Sequence, residues 1–137
     1  MAEAIRRELT LGAPPSRVWR ALTDSTEIAQ WMYPNDFQAE VGHRFTLQVP
    51  VSPKADYGPS DGLVRCEVVE CVPEKTLSYT WSAGEVVGTK VRHEIEATDG
   101  GTRLSLVHMG FDLSQRWGEP ALRGADYGWS LMLDRLA

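Results

Sequence analysis

The sequence predicts an α+β fold, in which a curved antiparallel β-sheet wraps around one long C-terminal helix and two short helices follow the first strand. Between residues 44 and 108, apolar residues alternate with polar ones, which is the period of strands with one buried face. Between residues 119 and 136, apolar residues recur every three or four positions, which is the period of a helix. Because a wide apolar sheet face must be buried, this helix is expected to pack across it.

The N-terminal segment predicts one strand and two short helices. Ile5–Leu11 is the predicted first strand, and the prolines that follow it suit the first turn of a helix from about Pro15 to Thr23. Asp24 is predicted to cap the second helix, with Glu27 as its capping-box partner, and Pro34 ends that helix. These two pieces are expected to close one end of the sheet.

Five predicted strands follow, each with alternate residues on one apolar face. Their apolar-face residues are Phe45, Leu47 and Val49; Val64, Cys66 and Val68; Leu77, Tyr79 and Trp81; Val91, His93 and Ile95; and Leu104, Leu106 and His108. The Pro- and Gly-rich segment Val51–Asp61 is predicted to be a loop that overhangs a cavity mouth. The last helix is predicted over Glu119–Leu136, with an irregular first half or a late start near Gly124, because glycine weakens a helix.

The turn Asp99-Gly100-Gly101 predicts how the last two strands pair. If Gly100 and Gly101 form a two-residue loop, His93 lies directly opposite His108 on the apolar face. Two buried imidazoles so close would resist joint protonation, and burial should lower at least one pKa. They are interpreted either as packing residues bonded to a tyrosine or a backbone carbonyl, or as polar contacts for a ligand.

Composition limits the function classes. The chain has 137 residues, which favours a single domain over 1–137, and its net charge is −5 with no basic cluster longer than Arg6-Arg7. Nucleic-acid binding and membrane insertion are therefore not expected. The N-terminus lacks an apolar stretch of signal-peptide length, so the predicted location is the cytoplasm. Cys66 and Cys71, five positions apart in one strand, are predicted to point to opposite faces and not to form a disulfide.

The residues expected to line an apolar ligand cavity are mostly aromatic. They are Trp31, Tyr33, Phe37, Phe45, Tyr79, Trp81, His93, His108, Phe111, Trp117 and Trp129. The sequence has no phosphate-binding glycine loop and no nucleophile elbow, and we expect no cofactor. No metal site is expected either, because Glu70 could join the two histidines only if its strand carried a bulge.

Four stretches together resemble one known family. They are residues 13–24 (APPSRVWRALTD) followed by Trp31, residues 72–81 (VPEKTLSYTW), residues 99–111 (DGGTRLSLVHMGF), and Gly128-Trp129 with Leu133 and Leu136. The chain resembles the SRPBCC superfamily (START-like, helix-grip), and more narrowly the homologues of the activator of the ninety-kDa heat-shock-protein ATPase. In that family the last helix usually continues for a turn or more, whereas this sequence ends at Ala137.

The resemblance implies three functions that the residues leave open. The first is a binding protein for a small hydrophobic or aromatic molecule, held between the sheet and the last helix in a pocket of several hundred Å³. The second is a cyclase or aromatase that uses His93 or His108 as its acid–base group. The third is a co-chaperone that activates a heat-shock-protein ATPase. We expect a binding protein rather than an enzyme, and a homodimer is compatible with the sequence.

Overall fold

The computed structural model describes residues 2–48, 63–83, 86–115 and 118–136. The predicted loop Val51–Asp61 and the predicted cavity residue Trp117 lie outside these ranges. The elements are β1 (Ala2–Leu11), α1 (Pro15–Thr23), α2 (Ser25–Trp31), β2 (Arg44–Gln48), β3 (Leu63–Val72), β4 (Thr76–Ala83), β5 (Val86–Thr98), β6 (Gly101–Asp112) and α3 (Gly118–Leu136).

The six described strands form one antiparallel sheet in the order β1-β6-β5-β4-β3-β2. Strands β2 to β6 pair with their neighbours in sequence. Strand β1 pairs with β6, so it forms the edge of the sheet beside the last strand. Alternate residues along the strands are buried. Helix α3 contacts β1 and β6, α1 contacts β5 and β6, and Trp31 of α2 lies against His93 on the buried face. The α+β architecture predicted from the two periodicities is confirmed. No described helix is long and apolar enough to cross a membrane.

The two short helices lie where the sequence predicts them. The side chain of Asp24 accepts hydrogen bonds from the backbone N–H groups of Thr26 (2.9 Å) and Glu27 (3.1 Å), which caps α2. The reciprocal half of the capping box does not form, because the backbone N–H of Asp24 donates to the carbonyl of Arg20 (2.9 Å). The Glu27 carboxylate is therefore free to pair with arginines of α1, as described below.

The β5–β6 hairpin differs from the predicted register by two residues. The loop is Asp99-Gly100 and not Gly100-Gly101, so His93 lies opposite Leu106 and His108 lies opposite Val91. The predicted direct pairing of the two histidines is wrong. A shift of two residues keeps every side chain on its face, and both histidines remain buried on the inner face.

The prediction that the two cysteines lie on opposite faces is also wrong. The pairing of β3 with β4 shifts between Val68 and Glu70, which marks a β-bulge. The extra residue places Cys71 opposite the buried Leu77, on the same inner face as Cys66. Both thiols are nevertheless free, as expected. Burial raises the pKa of the Cys66 thiol, so this side chain acts as a small apolar residue.

Helix α3 is continuous from Gly118, so the predicted irregular start near Gly124 is wrong. A Cβ atom at Gly118 would overlap the backbone carbonyl of Asp112, so the start of the helix lies directly against the end of β6. Trp129, Met132 and Leu133 are buried against the sheet and α2. Packing of this face outweighs the weak helix propensity of the glycines.

Candidate functional site

The structure brings most of the predicted cavity residues together in one interior cluster. Tyr33 and Trp81 are partly buried at its edge, and Trp117 lies outside the described residues. The buried members are Trp31, Phe37, Phe45, Tyr79, His93, His108, Phe111 and Trp129, and we call these eight residues the aromatic cluster. They come from α2, the segment after it, four strands and α3, so the cluster is where every layer of the fold meets.

Trp129 of α3 is the central contact of the aromatic cluster. Its ring centroid lies 5.8 Å from that of Trp81, 6.1 Å from those of both His93 and His108, and 6.5 Å from that of Trp31. The two histidine contacts are edge-to-face. Tilted and edge-to-face rings interlock in a way that leaves little free space.

His108 has hydrogen-bond partners at both ring nitrogens. Trp129 donates its indole N–H to Nδ1 of His108 (3.0 Å), and an indole nitrogen can only donate. The proton of the neutral ring is therefore on Nε2, which donates to the hydroxyl of Thr89 (3.1 Å). The Thr89 hydroxyl in turn donates to the backbone carbonyl of Trp81 (2.6 Å). This chain of bonds is complete, so His108 holds α3 against β5 and β6.

His93 has a partner at only one ring nitrogen. Its Nε2 lies 3.0 Å from the hydroxyl of Tyr79, while its buried Nδ1 has no hydrogen-bond partner among the described residues. Burial raises the pKa of Tyr79 well above its usual value, so the phenol keeps its proton. If that proton is donated to Nε2, the neutral imidazole carries its own proton on Nδ1, and this N–H is the group left without an acceptor.

Both histidines are held in the neutral form. Burial lowers the pKa of His93 to about 3. Burial, and to a lesser extent the neighbouring His93, lowers the pKa of His108 to about 3. The predicted resistance to protonation is present without direct cross-strand pairing, because desolvation is the larger cause.

A small void lies beside His93. Its volume is about 10 Å³, and it is lined by Leu22, Ile28, Trp31, Met32, Phe37, Phe45, Leu47, Tyr79 and His93. This volume is far below the several hundred Å³ predicted for the ligand cavity. The interlocked rings fill the space, which periodicity could not show because it does not fix side-chain rotamers.

A larger open pocket of about 370 Å³ lies on the other side of Trp31. It is bounded by the end of β1, by α1 and α2, and by the last turn of α3. Trp31 borders both the pocket and the void, and its indole N–H donates to the backbone carbonyl of Ala21 (2.8 Å). Of the described residues expected to line a cavity, only Trp31 borders this pocket, because the pocket's walls come from helix ends that are distant in sequence.

Thr89 was not among the residues expected at the site, although the alternation that places Val91 and His93 on the inner face also places Thr89 there.

Glu70 does not join the two histidines in a metal site. The required bulge is present, but the carboxylate of Glu70 accepts from the Ser78 hydroxyl (3.1 Å) and pairs with Arg92 (3.4 Å) on the outer face. The described residues contain no cluster of three or more potential metal ligands.

Comparison with known proteins gives one family and many related structures. The sequence profile of the family described as "Activator of Hsp90 ATPase homolog 1-like protein" matches residues 12–137. No curated protein matches the chain.

Three solved structures illustrate the likeness. A Mesorhizobium loti protein is 32% identical with a TM-score of 0.82, and the match covers 98% of this chain and 93% of that one. A Bacillus halodurans protein is 29% identical with a TM-score of 0.76, covering 98% and 94%. A Colwellia psychrerythraea protein, described as the Aha1 dimer in solution, is 17% identical with a TM-score of 0.75, covering 98% and 92%. At this last identity only the fold is shared.

Proposed function

The chain belongs to the family of Activator of Hsp90 ATPase homolog 1-like proteins, and from this premise we propose that it binds a small hydrophobic or aromatic molecule between the sheet and α3. The fold is of a ligand-binding type. The observation that carries the proposal is the buried Nδ1 of His93, which has no partner among the described residues and belongs to a ring that borders the interior void.

A buried polar atom without a partner needs a physical reason. More than nine in ten buried polar groups in proteins have a hydrogen-bond partner, and leaving one unsatisfied costs about 1–3 kcal/mol. A ligand that carries a carbonyl or ether oxygen would remove this cost at His93. We therefore propose a ligand with an apolar or aromatic body and one hydrogen-bond acceptor.

The proposed contacts are the residues expected from the sequence, with His93 as the polar one. The others are Trp31, Tyr33, Phe37, Phe45, Tyr79, Trp81, His108, Phe111, Trp117 and Trp129. Because the void is about 10 Å³, a ligand must displace side chains to enter. Trp31 borders both the void and the open pocket, and Met32 beside it has an unbranched side chain that can adopt several rotamers, so we propose that the ligand enters past these two residues.

The test is ligand binding with variants that separate the two histidines. A panel of lipids, flavonoids and polyketide-like aromatics is screened by thermal shift, and the affinity of each hit is then measured. In His93→Gln the amide can replace Nε2 toward Tyr79 but not the free Nδ1, so affinity for acceptor-bearing hits should fall about fivefold to tenfold, since one hydrogen bond contributes about 1 kcal/mol.

His108→Gln is the matched control. It removes the Nδ1 acceptor used by Trp129, so it should lower stability, and because both nitrogens of His108 are already bonded within the fold it should weaken acceptor-bearing hits less than His93→Gln does. Equal loss of affinity in both variants would mean that His93 acts only through the fold. A panel without any hit, together with an unchanged thermal midpoint, would count against an interior ligand site.

The two alternatives have weaker support. A cyclase or aromatase needs an acid–base group within reach of substrate, and both nitrogens of His108 are already engaged. His93 would be the remaining candidate, and loss of turnover with retained binding in His93→Gln would favour this alternative. The co-chaperone alternative rests on the family description, and binding to a heat-shock-protein ATPase tests it.

A homodimer stays a prediction, supported by the relative of the same fold that is described as a dimer. Light scattering decides it, because a dimer has twice the 15.3 kDa mass of the chain. A single domain over residues 1–137 and a cytoplasmic location also remain proposals from the sequence.

A further inference from the structure

The open pocket beside Trp31 differs in character from the interior. We infer that it is a second binding site, which takes an apolar molecule carrying one carboxylate, such as a medium-chain fatty acid or an aromatic acid. The inference goes beyond the proposed function, because it uses the side of Trp31 that faces away from His93.

The charges at this pocket favour an anion. Among the described residues that line it are Arg17 and Arg135, together with one carboxylate, that of Glu27. Glu27 is shared, since it pairs with Arg17 and also with Arg20 (2.6 Å). Arg135 makes no ion pair among the described residues. Two arginines therefore line the pocket beside one carboxylate, which is also shared with Arg20 outside the pocket, and a second carboxylate would balance the two lining arginines.

The remaining walls of the pocket suit an apolar body. Leu11, Val18, Trp31 and Leu136 supply aliphatic and aromatic surface. A volume of about 370 Å³ lies in the range of about 300–1,000 Å³ that is usual for small-molecule pockets. The Glu27 side chain is only 15% exposed, whereas that of Arg17 is 55% exposed. Val18 and Trp31 are buried, so the exposed Arg17 lies at the rim and this apolar surface lies deeper, which matches a molecule with a charged head and an apolar tail.

The experiment compares octanoate with 1-octanol, which have the same chain length and differ in the charged head. Backbone amide shifts of Gly12 and Ala21 report the pocket, because these residues border it and not the interior void. Octanoate should shift both amides and bind more tightly than 1-octanol. Added NaCl should weaken the binding of octanoate and leave that of 1-octanol unchanged or stronger.

Two variants should act in opposite directions. Arg135→Gln should weaken the binding of octanoate about threefold to tenfold, because it removes one cation at the rim. The affinity for 1-octanol should not change. Glu27→Gln should tighten octanoate, because it removes the carboxylate that now occupies Arg17 and Arg20. General damage to the fold would weaken the binding of both ligands. Tighter binding of octanoate by Glu27→Gln therefore cannot result from such damage.

The control for charge is Arg103→Gln, since Arg103 pairs with Glu96 and does not border the pocket. It should leave octanoate affinity unchanged. His93→Gln should also leave it within twofold, and loss of octanoate binding in that variant would assign octanoate to the interior and overturn the inference. Equal binding of octanoate and 1-octanol, or no shift at Gly12 and Ala21, would overturn it as well.

Discussion

His93 and His108 are two histidines on the same face of the sheet, and their surroundings give them different roles. The ring of His108 is held between Trp129 and Thr89, so both of its nitrogens are used inside the fold. The ring of His93 is held at one nitrogen by Tyr79, and the other is buried without a partner. The same desolvation that keeps both rings neutral makes the single unsatisfied atom of His93 costly.

The hydrogen bond between Trp129 and His108 can be measured by a double-mutant cycle. Trp129→Phe in the native background leaves Nδ1 of His108 without a donor and also creates a cavity, so it should lower the free energy of unfolding by about 2–4 kcal/mol. In the His108→Leu background the same change should cost about 1 kcal/mol less. Urea unfolding of the four proteins gives the coupling, and additive effects would show that this bond does not stabilise the fold.

Acid should destabilise the protein well before its carboxylates titrate. Each buried histidine has a pKa of about 3 in the native state and about 6.5 in the unfolded chain. Below pH 6.5 the unfolded state binds more protons, so stability is full above that pH and is lost as the pH falls toward 3. Between pH 7.5 and 5.5 the loss should be about 1.4 kcal/mol per histidine, or about 3 kcal/mol for both.

Urea unfolding at these two pH values checks this dependence. His108→Gln should reduce the pH-dependent loss by about half, since one of the two groups is removed. A free energy of unfolding that stays within about 0.5 kcal/mol over this interval would contradict the neutral, buried state of both rings.

At the scale of elements, Gly100 and Gly101 at the β5–β6 turn differ in whether a Cβ atom would fit. At Gly101 a Cβ would overlap the backbone carbonyl oxygen of Leu11, because β1 lies directly alongside. At Gly100 nothing lies within 4 Å. Gly101→Ala should therefore cost at least about 2 kcal/mol of unfolding free energy, and Gly100→Ala less than about 1 kcal/mol. Similar effects of the two changes would contradict the observed loop and register.

Helix α3 contains a glycine that packing does not require. A Cβ at Gly128 would be 4.0 Å from the terminal methyl group of Met132, which is ordinary contact. Because alanine favours a helix over glycine by up to about 1 kcal/mol, Gly128→Ala should raise the thermal midpoint by a few degrees. A lower midpoint would show that this position needs glycine for a reason other than space within the monomer.

The helices and strands could be predicted from the sequence because each depends on local patterns. The prolines and the apolar spacing predict a helix from about Pro15 to Thr23, and α1 has those bounds. The Asp99-Gly100 loop could not be predicted, because a register shift of two residues keeps every side chain on its face. The bulge in β3 exchanges the two faces after Val68, and the few residues that follow it in the strand are too short a pattern to show the exchange. The open pocket was missed because its arginines belong to α1 and to the last turn of α3, which are distant in sequence.

At the scale of the whole molecule, the sheet and α3 close on side chains that fill the interior almost completely. The ligand proposed to bind there would have to separate packed rings in the folded state. A ligand that binds this state should raise the unfolding free energy by RT ln(1 + [L]/Kd), about 2.7 kcal/mol at a hundredfold excess over Kd. The thermal midpoint should thus rise with ligand concentration, and saturation at low concentration without such a rise would contradict binding to the folded state.

Native mass spectrometry of freshly purified protein tests the interior site most directly. Spectra of the chain and of His93→Gln are compared with their denatured masses, after incubation with the same ligand panel. The proposal predicts a small added mass on the unmodified chain that disappears on denaturation and is much weaker on His93→Gln. A bare mass for both proteins across the whole panel would contradict it, and the aromatic cluster would then serve only to pack the fold.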